Sequence, residues 1–167
     1  MPAAPIAPLS GRFWRSTFLG NEGQLLEPAR APQGRWHHDG QQALYLSMSP
    51  DGCRIALKVY QRTGDPQRGI FPVQVSADRI VDLRIADIRK GMAISLADIH
   101  VFWSTMQSEG RVPPTWAISD DLREQGVDGI LTPSRSRPDL THLTLFRWNC
   151  ENAPTVTAAG SPLPWNA

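Results

Sequence analysis

Arginine, aromatic and hydroxyl side chains recur in this 167-residue sequence where polar turns meet apolar segments. Arg35 and His37 stand in the turn GRWHHDG, Tyr45 follows in ALYLS, and Ser134 begins SRSRPDLT. A guanidinium offers paired donors that match two phosphate oxygens and stays charged at physiological pH. A tyrosine can stack on a flat ring and donate its hydroxyl. Packing and surface ion pairs are the commoner roles of single residues of these types. Their recurrence nevertheless predicts a local site for a phosphate-bearing ligand with a flat ring.

The same residues argue against other kinds of chemistry. His37 and His38 are adjacent, so in an extended segment they point to opposite sides and cannot both bind one metal ion. We expect no metal, with one of the two at the lip of the site and the other in solvent. Ser134 lacks the G-x-S-x-G turn of a nucleophilic serine, so we expect it to hydrogen-bond a ligand. No glycine-rich phosphate loop occurs, which leaves phosphate binding to arginines and hydroxyls.

Short strand-like and helix-like segments alternate along the chain and must position these side chains. Apolar runs bounded by turn residues predict strands at 12–18, 43–47, 70–76, 80–85, 129–133 and 143–148. Capping residues, prolines and glycines predict helices at 50–61, 96–107 and 114–125. Pro72 predicts an edge or a bulge in its strand. The pattern predicts an α+β fold of mixed sheets with flanking helices.

Length and composition predict a single domain over residues 1–167, with irregular segments at 1–10 and 152–167, the latter anchored by Trp165. A net charge of +1 gives no overall field for nucleic acid or an anionic membrane, so we expect neither as a partner. No signal peptide or membrane span is predicted, which favours the cytoplasm. Cys53 and Cys150 have no metal-ligand spacing and are expected to be buried thiols.

Four segments, taken in order, resemble the RES-domain toxins. They are FWR (13–15), GRWHHDG (34–40), LYLSMSP (44–50) and GILTPSRSRPDLTHLTLF (129–146). That family, named for an arginine, a glutamate and a serine, comprises toxins of bacterial toxin–antitoxin pairs. The resemblance implies a fold similar to ADP-ribosyltransferases and NAD as substrate. Most members degrade NAD, whereas a ParT-like branch transfers ADP-ribose to phosphoribosyl pyrophosphate synthetase of the host.

The resemblance assigns catalytic or NAD-binding roles by position. Arg35 matches the family arginine, Tyr45 the tyrosine after it and Ser134 the serine, while Arg15 matches an arginine on the first strand. His37 is expected to contribute to NAD binding. His100 and His142 are isolated and are expected to be structural.

The family glutamate is missing from this sequence. Its position, about eleven residues after the tyrosine, is occupied by Ala56. A carboxylate stabilises the oxocarbenium-like ribose formed when the nicotinamide bond breaks, so its loss slows the chemistry by about 10²-fold or more. Three explanations compete: another acid substitutes for it, the register differs by a residue or two, or the chain is a disarmed variant. The last is favoured because no carboxylate flanks position 56.

These observations predict a mono-ADP-ribosyltransferase toxin that consumes NAD, with an antitoxin and a target host enzyme as protein partners. Arg35 and Arg15 are expected to bind the pyrophosphate, Tyr45 to pack on nicotinamide, and Ser134 to fix the ribose or carboxamide. Transfer is favoured because the short, tryptophan-rich chain is closer to that branch. Hydrolysis or phosphorolysis of NAD, a non-catalytic NAD-binding module and a plain interaction protein are the alternatives.

Overall fold

The strands of a computed structural model, which describes residues 2–166, form one sheet whose path returns to its first strand. The strands are β1 (Ala7–Phe18), β2 (Leu44–Ser47), β3 (Arg68–Asp82), β4 (Gly129–Pro133), β5 (Thr141–Leu145), β6 (Thr155–Ala158) and β7 (Leu163–Pro164). Neighbouring strands follow the order β1-β2-β5-β4-β3, and β3 pairs again with β1. The five strands therefore enclose a barrel-like core, and β6 and β7 pair with β3 outside this ring.

Five α-helices flank the sheet in the described part of the chain. They are α1 (Pro50–Leu57), α2 (Ala86–Gly91), α3 (Leu96–Ile99), α4 (Trp103–Ser108) and α5 (Pro114–Glu124), and short 3-10 helices cover Glu22–Gln24 and Lys58–Tyr60. The Ser49 hydroxyl accepts the Gly52 N–H at 3.1 Å and caps α1 as its sequence predicts. The α+β prediction is confirmed. No helix in residues 2–166 is long and apolar enough to cross a membrane.

Two apolar clusters lie on opposite faces of β2, β5 and β4. Leu44, Leu131 and Leu143 belong to the cluster inside the ring of strands. Trp36 and Ile130 belong to the cluster between the sheet and the helices. Successive residues of a strand point to opposite faces, so each of these strands contributes to both layers. The outer face also carries polar side chains that belong to the candidate site.

Three predictions about the elements are wrong. The strands expected at 70–76 and 80–85 are one strand, β3, in which Pro72 lies opposite Trp14. Residues 69–70 of β3 pair with β7 and residues 73–76 pair with β6, so Pro72 lies between the two pairings. Its missing N–H therefore removes no hydrogen bond from either pairing. The helix expected at 96–107 is broken into α3 and α4.

The ends of the chain are more regular than predicted. Residues 7–10 are part of β1, and β6 and β7 lie in the 152–167 segment. Arg54 donates to the carbonyl of Trp165 at 2.8 Å, which ties this segment to α1. Cys53 is buried as expected, whereas Cys150 is exposed.

Candidate functional site

The loop that carries Arg35 is fixed by the hydroxyl of Tyr45. The Trp36 N–H donates to this oxygen at 3.0 Å, and Nδ1 of His37 lies 2.8 Å from it. Nε2 of His37 donates to the Ala31 carbonyl at 2.8 Å, so this nitrogen carries the proton. Burial lowers the pKa of His37 and keeps it neutral, and therefore Tyr45 donates its own proton to Nδ1. The loop and β2 form one connected unit.

Gly34 is required here because no side chain fits at its position. A Cβ on Gly34 would lie 2.5 Å from Cε1 of His37 and 2.8 Å from the Tyr45 hydroxyl oxygen. The Gly34 carbonyl accepts the indole N–H of Trp116 at 2.8 Å, which joins the loop to α5. Trp36, 2% exposed, anchors the loop in the outer apolar cluster. In the Gly-Arg-Trp motif, the two outer residues thus position the arginine between them.

Arg35 uses part of its guanidinium to hold the break between α3 and α4. Nη1 donates to the carbonyls of Ile99 and Val101, both at 2.7 Å. The carbonyls at a helix C-terminus have no partner within the helix, so this contact satisfies groups that the break exposes. Nε and Nη2 of Arg35 make no hydrogen bond to any residue within 2–166, so they are available to a ligand.

The surroundings of Arg35 are positively charged. Burial lowers its pKa, Arg135 lowers it further, and the hydroxyls of Tyr60 and Tyr45 oppose these effects. No carboxylate in the described residues is among the groups that shift it. We call Arg35, Tyr45, Tyr60, Arg135 and His142 the Arg35 site, because each acts electrostatically on Arg35 or is acted on by it. Two guanidiniums without a counter-charge favour an anionic ligand.

Exposed aromatic rings border the Arg35 site. Tyr60 is 55% exposed and Phe102 is 63% exposed. The Arg135 guanidinium lies 4.2 Å from the centre of the Phe102 ring, as in a cation–π contact. Large aromatic side chains that remain in water beside a cationic group are suited to a ligand with a flat ring and negative charge.

A row of polar side chains lies on the outer face of β2, β5 and β4. Ser47 is opposite His142, and His142 is opposite Thr132, so the three share this face. The Ser47 hydroxyl lies 2.9 Å from Nδ1 of His142. Burial first, and then Arg35, lower the pKa of His142 to about 4. Polar residues therefore extend from the end of β2 toward Ser134.

Ser134 follows β4 directly and is 3% exposed. Its N–H donates to the Leu140 carbonyl at 2.9 Å, which closes the loop 134–140. His100, between the two residues whose carbonyls Arg35 binds, donates from Nε2 to the Pro133 carbonyl at 3.2 Å. The end of β4 is thereby joined to the segment that Arg35 holds.

Arg15 lies in different surroundings. Its Nη1 donates to the carbonyls of Leu25 and Glu27, the latter at 2.7 Å. It is not among the groups that shift the pKa of Arg35. It lines a cavity of about 200 Å³ with Arg30 and Arg68. Arg15 thus binds the segment 25–27, whereas Arg35 binds the segment 99–101. A second cavity, of about 250 Å³, lies near Trp165, and neither cavity is lined by a residue of the Arg35 site.

The expectation for the two adjacent histidines is wrong. His37 is 2% exposed, and both of its ring nitrogens are bonded within the protein, so it is not at the lip of the site. His38 is not free in solvent, because it stacks on Trp116 with ring centres 4.7 Å apart. Its Nε2 lies 2.9 Å from a carboxylate oxygen of Asp120. Both histidines hold the loop in place. Within residues 2–166 no group of three or more His, Cys, Asp or Glu residues is arranged to bind a metal ion.

Ala56 is exposed near the end of α1, one helical turn before Tyr60 of the Arg35 site. Its methyl group fills no packed space. A longer side chain fits at this position without displacing the core.

Comparison with known proteins identifies the family. The model of the RES domain matches residues 10–166. The chain belongs to the RES domain family. A chain of the crystal structure of the M. tuberculosis MbcT–MbcA toxin–antitoxin complex is similar in fold, with a TM-score of 0.61 and 15% sequence identity over 92% of this chain and 86% of that chain. No curated protein matches this sequence.

The structure adds residues to this RES domain site that sequence reasoning did not include. Tyr60 and Phe102 carry no motif and are recognised only by their exposure. Arg135 lies in the arginine-rich loop after Ser134, where the repeated arginines are the one available sequence signal. His142, expected to be structural, belongs to the Arg35 site, and its Nε2 has no hydrogen-bond partner among residues 2–166.

Proposed function

We propose that this RES domain binds NAD at the Arg35 site and is the toxin of a bacterial toxin–antitoxin pair. The observation that carries the proposal is that Arg35 and Arg135 meet at one short segment: Nη1 of Arg35 donates to the carbonyls of Ile99 and Val101, and the Arg135 guanidinium lies 4.2 Å from the centre of the adjoining Phe102 ring. Like charges repel, and this cost is offset when an anion binds both. The pyrophosphate of a dinucleotide supplies two phosphates, and its two flat rings match the exposed rings of Tyr60 and Phe102.

The residues divide the work of binding and bond cleavage. Nε and Nη2 of Arg35 bind one phosphate, and Arg135 binds the other. Ser134 hydrogen-bonds the ribose or the carboxamide, and Tyr45 keeps Arg35 in place through its hydroxyl. The electron pair of the bond between ribose and nicotinamide passes to the nicotinamide ring, and an acceptor attacks the ribose carbon. The position of the acceptor then decides between transfer and hydrolysis.

Transfer of ADP-ribose to a host protein is our first proposal for the reaction. The resemblance to the ParT-like branch suggests phosphoribosyl pyrophosphate synthetase as the target. The cognate antitoxin is proposed to cover the loop 30–40 or to fill the Arg35 site, which neutralises the toxin. The fold shared with a toxin–antitoxin complex supports such a partner.

Calorimetric titration of NAD tests the site with a matched pair of variants. Arg135 and Arg137 are exposed residues of the same loop, but Arg137 is bound to Asp139 at 2.7 Å. Arg135→Ala is expected to weaken NAD binding about tenfold, and Arg137→Ala to leave it unchanged. Equal affinities in both variants would contradict the proposed site. Absence of NAD binding by the unmodified chain would favour an interaction protein.

The second candidate function is an NAD-binding module without turnover. It is favoured by Ala56 at the position of the family glutamate and because no carboxylate of residues 2–166 is among the groups that shift the pKa of Arg35. Ala56→Glu places a carboxylate one turn before Tyr60, where there is room for it. Turnover of NAD and toxicity are then expected to rise together by about 10²-fold. Binding of NAD with no turnover in either protein would select the module.

Mass spectrometry of host proteins incubated with NAD and the Ala56→Glu variant tests the reaction type. ADP-ribose attached to a protein supports transfer. Release of free ADP-ribose, or of its phosphate ester, with no modified protein would replace transfer by hydrolysis or phosphorolysis.

A further inference from the structure

His142 occupies a position in the sheet that brings its ring to the Arg35 site. It lies opposite Ser47 of β2 and Thr132 of β4, on the outer face of the sheet. Leu143, the next residue, points to the inner core. Thr132 precedes Pro133, whose carbonyl accepts the Nε2 proton of His100, and Arg35 binds the carbonyls on either side of His100. Burial first, and then the Arg35 guanidinium, lower the pKa of His142.

One nitrogen of this imidazole is fixed and the other is free. Nδ1 lies 2.9 Å from the Ser47 hydroxyl oxygen, which sets the orientation of the ring. Nε2 makes no hydrogen bond with any residue in 2–166. The fully buried polar atoms that lack a hydrogen-bond partner do not include it. A histidine held at one nitrogen and open at the other is the arrangement of a side chain that exchanges a proton with a ligand.

Burial and the cation keep the ring neutral. With its pKa lowered to about 4, His142 is unprotonated at neutral pH and has the basicity of an ordinary carboxylate. When Nδ1 carries the proton and donates to Ser47, Nε2 presents a lone pair to the site. No carboxylate in the described residues acts on Arg35, so the imidazole is a base available at this site without one.

We propose that His142 is the catalytic base of this RES domain and deprotonates the hydroxyl that attacks the ribose. The proposal rests on the proposed function, since it requires NAD at the Arg35 site. The bond between the ribose carbon and the nicotinamide nitrogen breaks, and its electron pair neutralises the positive nicotinamide ring. The oxygen of water or of a protein hydroxyl bonds to the same carbon, and its proton moves to Nε2 of His142. The proton then passes to solvent.

This base takes over one of two tasks of the missing glutamate. A neutral imidazole orients and deprotonates the acceptor, but it has no negative charge with which to stabilise the ribose cation. With the base alone, the reaction is expected to be slow although the acceptor is ordered. It also predicts that the two groups are partly redundant when both are present.

The test compares His142→Asn in the unmodified chain and in the Ala56→Glu variant. Asparagine keeps a polar atom near Ser47 but accepts no proton at neutral pH. In the unmodified chain kcat for NAD consumption is expected to fall about 10²-fold, with the NAD affinity measured by calorimetry changed less than twofold. In the Ala56→Glu background the fall is expected to be less than tenfold, because the carboxylate supplies a second base.

Each result has a distinct meaning. Absence of NAD consumption in both the unmodified chain and Ala56→Glu overturns the proposed function. If His142→Asn leaves NAD consumption unchanged, only the role of His142 is overturned. An equal loss of consumption in both backgrounds, together with weakened NAD binding, also overturns that role, because it indicates that His142 is structural. If His142→Asn does not fold, two other variants are measured in its place. They are His142→Gln and Ser47→Ala, and in the latter the imidazole loses its orienting partner. A lower kcat with unchanged NAD affinity in either supports the proposal, and an unchanged kcat overturns it.

Discussion

Two partly buried arginines perform the same structural task in this protein in different electrostatic surroundings. Arg15 and Arg35 each donate from Nη1 to two backbone carbonyls of a distant segment. Burial lowers the pKa of Arg15 to about 10, but Cys53 and the Glu27 carboxylate oppose the change. Around Arg35 a second cation, Arg135, adds to the effect of burial. The hydrogen bonds are alike, so neighbouring charge distinguishes the arginine of a fold from the arginine of a ligand site.

Replacing either arginine by alanine is the strongest test of this comparison. Arg15→Ala and Arg35→Ala each leave two carbonyls without their donor, so the free energy of unfolding is expected to fall by about 3 kcal/mol in both. Only Arg35→Ala is expected to abolish NAD binding as well. Urea denaturation and calorimetry of folded protein measure the two effects. Loss of NAD binding in a folded Arg15→Ala protein would show that Arg15 is also required for NAD binding.

Acid should destabilise the protein through His142, whose pKa is lowered first by burial and then by Arg35. The pKa of His142 is lowered from its ordinary 6.5 to about 4 in the folded state. Between these values the unfolded chain binds a proton that the folded chain refuses. His142 therefore contributes stability fully above pH 6.5 and loses it as the pH falls toward 4, by about 3 kcal/mol in total. Thermal unfolding from pH 7 to 4 measures the loss, which should be smaller by this amount in His142→Asn. Identical pH profiles would show that the pKa of His142 is not lowered in the folded state.

Gly34→Ala tests whether the Arg35 loop depends on close packing. The added Cβ lies 2.5 Å from Cε1 of His37, so His37 or Tyr45 must move. We expect a loss of about 2 kcal/mol in unfolding free energy and weaker NAD binding. Gly23→Ala, in the loop near Arg15, meets nothing within 4 Å and serves as the control. Equal stability of the two variants would mean that the loop relaxes freely.

The smallest expected effect concerns His38, which joins the Arg35 loop to α5. Burial opposes the charged ring, but hydrogen bonds with Asp120 and Asp39 outweigh it and raise the pKa of His38. A raised pKa means that this contribution is complete below pH 6.5 and is lost as the pH rises through the value in the folded state. The contribution is expected to be below about 1 kcal/mol, because Asp120 is partly exposed. Between pH 6 and 9 the free energy of unfolding should depend less on pH in His38→Gln than in the unmodified protein. If the substitution leaves this pH dependence unchanged, the contact of His38 with Asp120 and Asp39 is contradicted.

Local sequence patterns predicted much of the fold for a clear physical reason. Caps, prolines and apolar periodicity act over a few residues, and they located α5, β2 and β4 within one position of their bounds and the start of α1, although α1 ends four residues before the predicted end. The continuity of β3 was missed because residues 77–79 include two charged residues, and it is pairing with the distant strand β1 that continues the strand past them. The break between α3 and α4 was missed because no glycine or proline marks it. Its exposed carbonyls are satisfied by Arg35, which is 64 residues from Ile99.

The amino-acid sequence by itself determined the α+β class, the Gly-Arg-Trp loop, the candidate residues Arg35, Tyr45 and Ser134, and the absence of glutamate at position 56. These features depend on residue type and short spacing. Only the tertiary structure decided which groups face one another: it separated Arg15 from Arg35, buried His37 and brought Arg135 and His142 to the site. Charge and hydrogen bonding act through space, and distances between remote segments are set by how the strands pair, which no local pattern encodes.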